Sequence, residues 1–133
     1  MAHAARTFPR RVVDGFCVVD VDGEIDLAVA RLLTAELEKA VAECSPRVLI
    51  DLTNLTFIDS TGLASLVAAH RCATAAGGGV RLVGPNARIA KVLAITQLDH
   101  VLPVHDTVET ACAAADPASL VNPERPTAPS SPT

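Results

Sequence analysis

Short apolar runs alternate with longer amphipathic segments along most of this chain, and that alternation restricts the fold more than any other feature. Residues 47–52 (RVLIDL) form such a run, of the kind that is buried on both faces of a parallel sheet. Apolar residues in the flanking segments 27–43 and 60–76 recur every three or four positions, as on one face of a helix. The pattern predicts an α/β fold, a single domain with a mostly parallel or mixed β-sheet of about four to five strands and four helices.

Local signals indicate where the predicted elements begin and end. Asp26 is placed to cap the first helix, and Pro46 stops that helix. The second helix is predicted to start at Ser60 or Thr61 and to end at the three glycines 77–79. The remaining elements are predicted as a strand at 80–83, a helix after residue 86, an edge strand at 101–104 and a closing helix at 107–115.

The sequence divides into three parts. Residues 1–10 are expected to be an irregular N-terminal segment, because Pro9 and neighbouring arginines interrupt the alternation that a strand needs. Residues 11–115 are expected to form the folded domain, starting with a loosely alternating strand that runs to about residue 21. Residues 116–133 are rich in Pro, Ser and Thr, and their low apolar content predicts a disordered tail.

Composition argues against two classes of partner. The chain has no Trp or Tyr, a net charge of -4 and no run of Lys and Arg, so nucleic acid is not an expected partner. No apolar stretch is long enough to span a bilayer, and the N-terminus does not read as a signal peptide. We therefore expect a cytoplasmic protein that does not enter the membrane.

The four cysteines have no C-x-x-C spacing, and each lies among apolar or Ala-rich neighbours. Four buried thiols are the simpler interpretation. Cys72 and Cys112 form a candidate redox pair, because both fall in predicted helices, but their separation in space cannot be read from the sequence.

Residues 57–63 (FIDSTGL) join an apolar run to the start of the second helix through three small polar residues. Backbone N–H groups at a helix start lack partners within the helix, so this end favours negative charge. A phosphate on Ser60 would add about -1.5 to -2 charges there and change the surface without breaking the fold. The spacing fits a second interpretation equally well, in which Asp59, Ser60 and Thr61 only cap the helix and Gly62 permits close packing.

Residues 48–52 (VLIDL) followed by 57–63 resemble the signature of the STAS domain family, and residues 23–26 (GEID) before a helix are similar to its upstream motif. Gly77 and Gly78 before the run 80–83, and a later pair of apolar residues, resemble the second half of that domain. The resemblance covers roughly residues 15–115 in order. It implies a STAS-like fold and the role of a bacterial anti-sigma factor antagonist.

The resemblance also implies partners and site residues. With Ser60 unphosphorylated, the protein would bind an anti-sigma factor that is also a serine kinase, and this binding would release a sigma factor. Phosphorylation of Ser60 by that kinase would end the binding. A serine phosphatase would remove the phosphate and restore it. Asp26, Asp59, Thr61 and Gly62 would surround Ser60 and, with it, contact the partner. The ATP and its metal would belong to the kinase, so we expect this chain to bind no cofactor and to catalyse no reaction. We also expect it to be a monomer. An alternative is a STAS interaction module of a stress-signalling or transport complex that is not phosphorylated.

Two catalytic readings and a metal site fit the residues less well. A serine hydrolase needs G-x-S-x-G at its nucleophile, whereas Ile58 stands where the first glycine belongs. An aspartic-protease dyad needs a second carboxylate loop, which the chain lacks. The acidic positions 20, 22, 24 and 26 do not match a calcium loop, since the glycine is misplaced and no glutamate closes it.

Overall fold

The computed structural model of the protein describes residues 7–114. They form seven strands, four α-helices and one short 3-10 helix. The strands are β1 (Arg10–Val13), β2 (Phe16–Asp20), β3 (Gly23–Ile25), β4 (Arg47–Asp51), β5 (Leu55–Ile58), β6 (Gly79–Val83) and β7 (Val104–His105). The helices are α1 (Leu27–Glu43), α2 (Ser60–Ala75), α3 (Ala87–Ile95) and α4 (Val108–Ala113), with the 3-10 helix at Leu98–His100.

Five strands form the main sheet in the order β1-β2-β4-β6-β7, and β3 and β5 form a second, two-stranded sheet. All pairings are parallel except that of β1 with β2. The two small strands continue the chain beyond the carboxyl ends of β2 and β4. The predicted α/β class, with a mostly parallel sheet and four helices, is confirmed.

The N-terminal edge is more regular than its sequence indicated. Strand β1 begins at Arg10 and forms a hairpin with β2 through Asp14 and Gly15, which both have positive φ, 51° and 81°. Positive φ at both central residues is the geometry of a tight hairpin turn that suits the twist of the strands. The single strand predicted from residue 11 to residue 21 is therefore two antiparallel strands. The sequence signal for this turn is the Asp-Gly pair at residues 14 and 15.

Helices cover both faces of the main sheet, and alternate residues of each strand point to opposite faces. On β2, Cys17 and Val19 belong to the larger core cluster beneath α1 and α2, whereas Phe16 and Val18 belong to a smaller cluster with α4. Leu33 of α1 is fully buried in the larger cluster. Complete burial of one such side chain contributes about 1.5–3 kcal/mol to stability.

Helix α2 packs closely on α1 through a face of small residues. Its buried residues are Gly62, Ser65, Leu66, Ala69 and Ala73. The buried Ser65 hydroxyl is satisfied, since it lies 3.0 Å from the carbonyl oxygen of Ala30 and accepts a hydrogen bond from Thr34 Oγ1 at 2.7 Å. A polar group can be buried at this contact because its hydrogen bonds are complete.

The C-terminal third departs in detail from its predicted elements. The edge strand predicted at 101–104 is the two-residue strand β7, preceded by the 3-10 helix, because Pro103 has no N–H to donate to a ladder. Thr107 caps α4, its hydroxyl accepting from Thr110 N at 3.0 Å. The end of the helix predicted to reach residue 115 and the tail predicted at 116–133 lie outside the described residues, as do residues 1–6 of the predicted irregular segment.

The structure does not bring the candidate redox pair together. All four cysteines are free. Cys72 packs against the larger core cluster and Cys112 against the smaller one, so the main sheet separates them. Instead, Cys17 and Cys44 are neighbours: burial, followed by a hydrogen bond with Cys44, raises the pKa of Cys17 to about 12.

Two half-buried histidines predict that acid destabilises the fold. Burial lowers the pKa values of His70 and His105 below 6.5, so the unfolded chain takes up these protons before the folded chain does. The free energy of unfolding should therefore fall as the pH drops from about 7.5 to about 5.5. Urea unfolding across this range should show a smaller fall for His70→Gln than for the wild type, with His100→Gln as a control for losing an exposed histidine. Parallel curves for the wild type and His70→Gln would contradict this assignment.

Candidate functional site

The pairing of β3 with β5 places the starts of α1 and α2 side by side. Ile25 lies opposite Ile58 in this parallel pair, and Asp59 N donates to the carbonyl oxygen of Ile25 at 3.2 Å. Asp26 and Asp59, the residues that follow, cap the two helices. Two motifs more than thirty residues apart in the sequence thus form one surface at this end of the molecule.

The two aspartates satisfy backbone donors of the helices they precede. Asp26 Oδ1 accepts from Val29 N at 3.1 Å. Asp59 Oδ1 accepts from Thr61 N at 3.0 Å, from Gly62 N at 3.1 Å and from the Thr61 hydroxyl. The hydrogen bond from the Thr61 hydroxyl, followed by that from the Gly62 amide, lowers the pKa of Asp59, so this carboxylate is ionised at neutral pH.

Ser60 is the first residue of α2, and its side chain is exposed. Its hydroxyl forms no hydrogen bond within residues 7–114. The structure corrects one expectation about this helix start: the amides of Thr61 and Gly62 already bind Asp59 and are not available to another anion. The exposed Ser60 hydroxyl thus lies next to the Asp59 carboxylate, and the amides of Thr61 and Gly62 are already occupied by that carboxylate.

Gly62 does not lie on the surface that the resemblance implied for it. It is buried, and a Cβ added to it would lie 2.5 Å from Ile58 Cγ1 and 2.8 Å from Ile25 Cγ2. Both distances are shorter than real side-chain contacts, so only glycine lets α2 pack this closely on β3 and β5. Gly62 therefore holds the site together, which is the packing role that the sequence left open, and it offers no side chain to a partner.

Two apolar side chains extend this surface, and the sequence did not single them out. Leu27, the first residue of α1, is 51% exposed, and Phe57 of β5 is 49% exposed. Phe57 pairs with Glu24, and the exposed Asp26 precedes Leu27. The surface around Ser60 thus combines acidic groups with an exposed aromatic ring, a residue type that is enriched in protein interfaces. The exposure of Phe57 is decided by the tertiary structure, because the apolar sequence of strand β5 gives no sign that this side chain faces solvent.

The described part of the chain contains no cluster of three or more His, Cys, Asp or Glu side chains able to hold a metal ion. It also contains no helix long and apolar enough to cross a bilayer. We define the docking surface as Glu24, Asp26, Leu27, Phe57, Asp59 and Ser60, which bring acidic, hydroxyl and apolar groups together at this end of the molecule. Thr61 and Gly62 are not included, because the Thr61 hydroxyl is bound to Asp59 and Gly62 is buried.

Comparison with known proteins places this arrangement in a family. The STAS domain matches residues 7–111. A Thermotoga neapolitana protein, provisionally named an anti-sigma factor antagonist, is 28% identical over 105 residues, which cover 78% of this chain and 93% of that protein.

Two solved structures share the fold. The crystal structure of an anti-sigma factor antagonist from Mycobacterium paratuberculosis is 34% identical, with a TM-score of 0.65 over 79% of this chain and 89% of that one. The Bacillus cell fate determinant SpoIIAA in its phosphorylated form is 22% identical, with a TM-score of 0.62 over 79% of this chain and 96% of that one. The family match spans most of the described chain and includes both capped helix starts, and the protein belongs to the STAS domain family.

Proposed function

We propose that this protein is an anti-sigma factor antagonist and that the state of Ser60 decides whether it binds its partner. The observation that carries the proposal is the exposed Ser60 hydroxyl, which has no hydrogen-bond partner in the described chain and stands at the start of a capped helix. The names of the relatives support the general role, because they describe anti-sigma factor antagonists. Ser60 is the residue of this surface that another enzyme could modify without disturbing the fold.

The unmodified docking surface suits a partner that carries basic and apolar groups. Asp26 and Glu24 are exposed carboxylates, and the apolar side chains of Leu27 and Phe57 are their respective neighbours in the chain and across the strand pair. Such an arrangement attracts a complementary charge and buries apolar area on contact. The proposed partner is an anti-sigma factor of the serine-kinase type, which would release its sigma factor when this surface is bound.

Phosphorylation would reverse this complementarity. In the proposed reaction the kinase transfers the γ-phosphoryl group of ATP to Ser60 Oγ, which loses its proton, and ADP leaves. The product carries about -1.5 to -2 charges. Asp59 already occupies the amides of Thr61 and Gly62, so these donors would not neutralise the phosphate. A serine phosphatase would hydrolyse the phosphoester with water and restore the hydroxyl.

In this proposal the partner kinase catalyses the phosphoryl transfer. The protein would act in the cytoplasm, together with the sigma factor and the kinase. The chain itself supplies the phosphate acceptor and the docking surface. It would use no cofactor of its own and would act as a monomer.

A phosphorylation assay tests the proposal directly. The purified full-length chain is incubated with labelled ATP and the kinase-type anti-sigma factors of the source cell, and modified peptides are mapped by mass spectrometry. We expect label on Ser60 of the wild type and its loss in Ser60→Ala. Thr56→Val, which removes an exposed hydroxyl from the neighbouring strand β5, should be labelled like the wild type.

Two results would overturn the assignment. One is equal labelling of Ser60→Ala and the wild type, which would place the acceptor elsewhere. The other is a wild-type chain that none of these kinases labels although it binds one of them, the behaviour expected of an interaction module without a phosphorylation switch.

A further inference from the structure

A cavity of about 480 Å³ opens at the other end of the main sheet from Ser60. It lies at the amino ends of the parallel strands, where Phe16 begins β2, Arg47 begins β4 and Gly79 begins β6. The docking surface lies beyond the carboxyl ends of the same strands. The volume of the cavity falls in the range of small-molecule sites, and the cavity is distinct from the docking surface.

The positive charge of this cavity is unusual for a chain whose net charge is -4. Two arginines line it, and both lie close to the ring of Phe16: the guanidinium carbon is 4.0 Å from the ring centroid for Arg47 and 5.0 Å for Arg81. Such stacking holds each guanidinium in a defined orientation. Asp99 is the sole carboxylate among the lining residues, and its Oδ1 lies 3.8 Å from Nε2 of His100.

The two arginines differ in how they are held. Arg81 is 5% exposed, and its Nη1 donates to the carbonyl oxygens of Ala111 and Ala114, so it is fixed in the wall. Arg47 is exposed, and its guanidinium has no carboxylate partner in the described part of the chain. Arg47 is therefore the cation placed to meet a ligand, and Arg81 adds a fixed positive field behind it.

His70 of α2 also lines the cavity. Its Nδ1 accepts from Val80 N at 3.2 Å, so the proton of the neutral ring lies on Nε2. Burial lowers the pKa of His70, which favours this neutral form. A neutral imidazole with its proton on Nε2 donates to an anion without needing acidic conditions.

The rest of the wall is apolar. The apolar area open to a ligand comes from Val101, which is 51% exposed, and from the half-buried Pro103, since Phe16 and Val80 are buried beneath their neighbours. An inorganic anion would leave this apolar area without contact, and an apolar ligand would leave Arg47 without a counter-charge. We propose that this cavity binds a small organic anion whose carboxylate or phosphate group lies against Arg47 and whose apolar part contacts Val101 and Pro103.

Titration of the isotope-labelled, full-length protein tests this inference by NMR. The probes are hexanoate, a carboxylate, and phenyl phosphate, a phosphate monoester, so the two arms distinguish the head groups; hexanamide is the uncharged control. We expect saturable shifts of amide signals at residues 78–81 and 99–103 with at least one anion, and none with hexanamide. Arg47→Gln should weaken binding by about tenfold or more, since a hydrogen bond to a charged group contributes about 1.5–3 kcal/mol.

Arg88→Gln is the matched control, because it removes an exposed arginine of α3 that does not line the cavity. It should bind the probes like the wild type. The inference is overturned if neither anion gives saturable shifts at these residues up to about 10 mM, well above the range of specific sites. It is also overturned if Arg47→Gln and Arg88→Gln weaken binding equally, which would indicate general charge attraction. Ser60→Ala should bind the probes like the wild type, so the outcome does not depend on the proposed switch.

Discussion

Replacing Ser60 by aspartate is expected to weaken binding of the kinase-type anti-sigma factor by about 30-fold, or roughly 2 kcal/mol, while the chain stays folded. The new carboxylate would stand beside the ionised Asp59 and near Asp26, and the amides of Thr61 and Gly62 would not be free to bind it. Burying such a charge at an interface without a partner costs several kcal/mol. Isothermal titration calorimetry against the purified partner gives the affinity.

Asparagine at the same position is the matched control, because it has nearly the same size as aspartate and no charge. Ser60→Asn and Ser60→Ala should both bind more tightly than Ser60→Asp, and Ser60→Ala should bind even when kinase and ATP are present. The fold should tolerate all three, since residue 60 is exposed and a carboxylate in the first turn of a helix is favourable. Equal affinities of Ser60→Asp and Ser60→Asn would show that charge at this position does not control docking.

Replacing Gly62 by alanine is expected to lower the free energy of unfolding by up to about 2 kcal/mol, although alanine is the better helix former. In an open helix the exchange of glycine for alanine gains about 1 kcal/mol. At residue 62 the new Cβ would lie 2.5 Å from Ile58 Cγ1 and 2.8 Å from Ile25 Cγ2, and overpacking of this kind costs about 1–3 kcal/mol. The cost of overpacking exceeds the gain in helix propensity, so the substitution destabilises the protein instead of stabilising it. Chemical denaturation followed by circular dichroism measures the change.

Two further variants separate these terms. Ala64 is exposed on the same helix, so Ala64→Gly should cost about 1 kcal/mol and report the helical preference alone. In an Ile58→Ala background the nearest clashing side chain is absent, and Gly62→Ala should then cost less than in the wild type. An equal cost in both backgrounds would show that the contact with Ile58 does not limit residue 62. Because Gly62 sets how closely α2 approaches β3 and β5, the same variant should also weaken partner binding.

The elements of this fold follow largely from local chemistry that the chain carries in order. The bounds predicted for α1, residues 27–43, match the helix observed, because the apolar period, the Asp26 cap and Pro46 all act within a few residues. The start of α2, predicted at Ser60 or Thr61, lies at Ser60 for the same reason. The hairpin of β1 with β2 was missed, although the signal at Asp14 and Gly15 was also local.

The amino-acid sequence by itself determined the α/β class, the helix caps and the exposed polar turn at Ser60, because each depends on hydrogen bonds or steric limits between near neighbours. Only the tertiary structure decided that β3 pairs with β5, that Gly62 is buried and that Cys17 rather than Cys72 has a thiol neighbour. It also decided that Arg47 lines a cavity at the far end of the sheet. These features depend on strand register and helix packing between distant segments, which periodicity and composition do not specify.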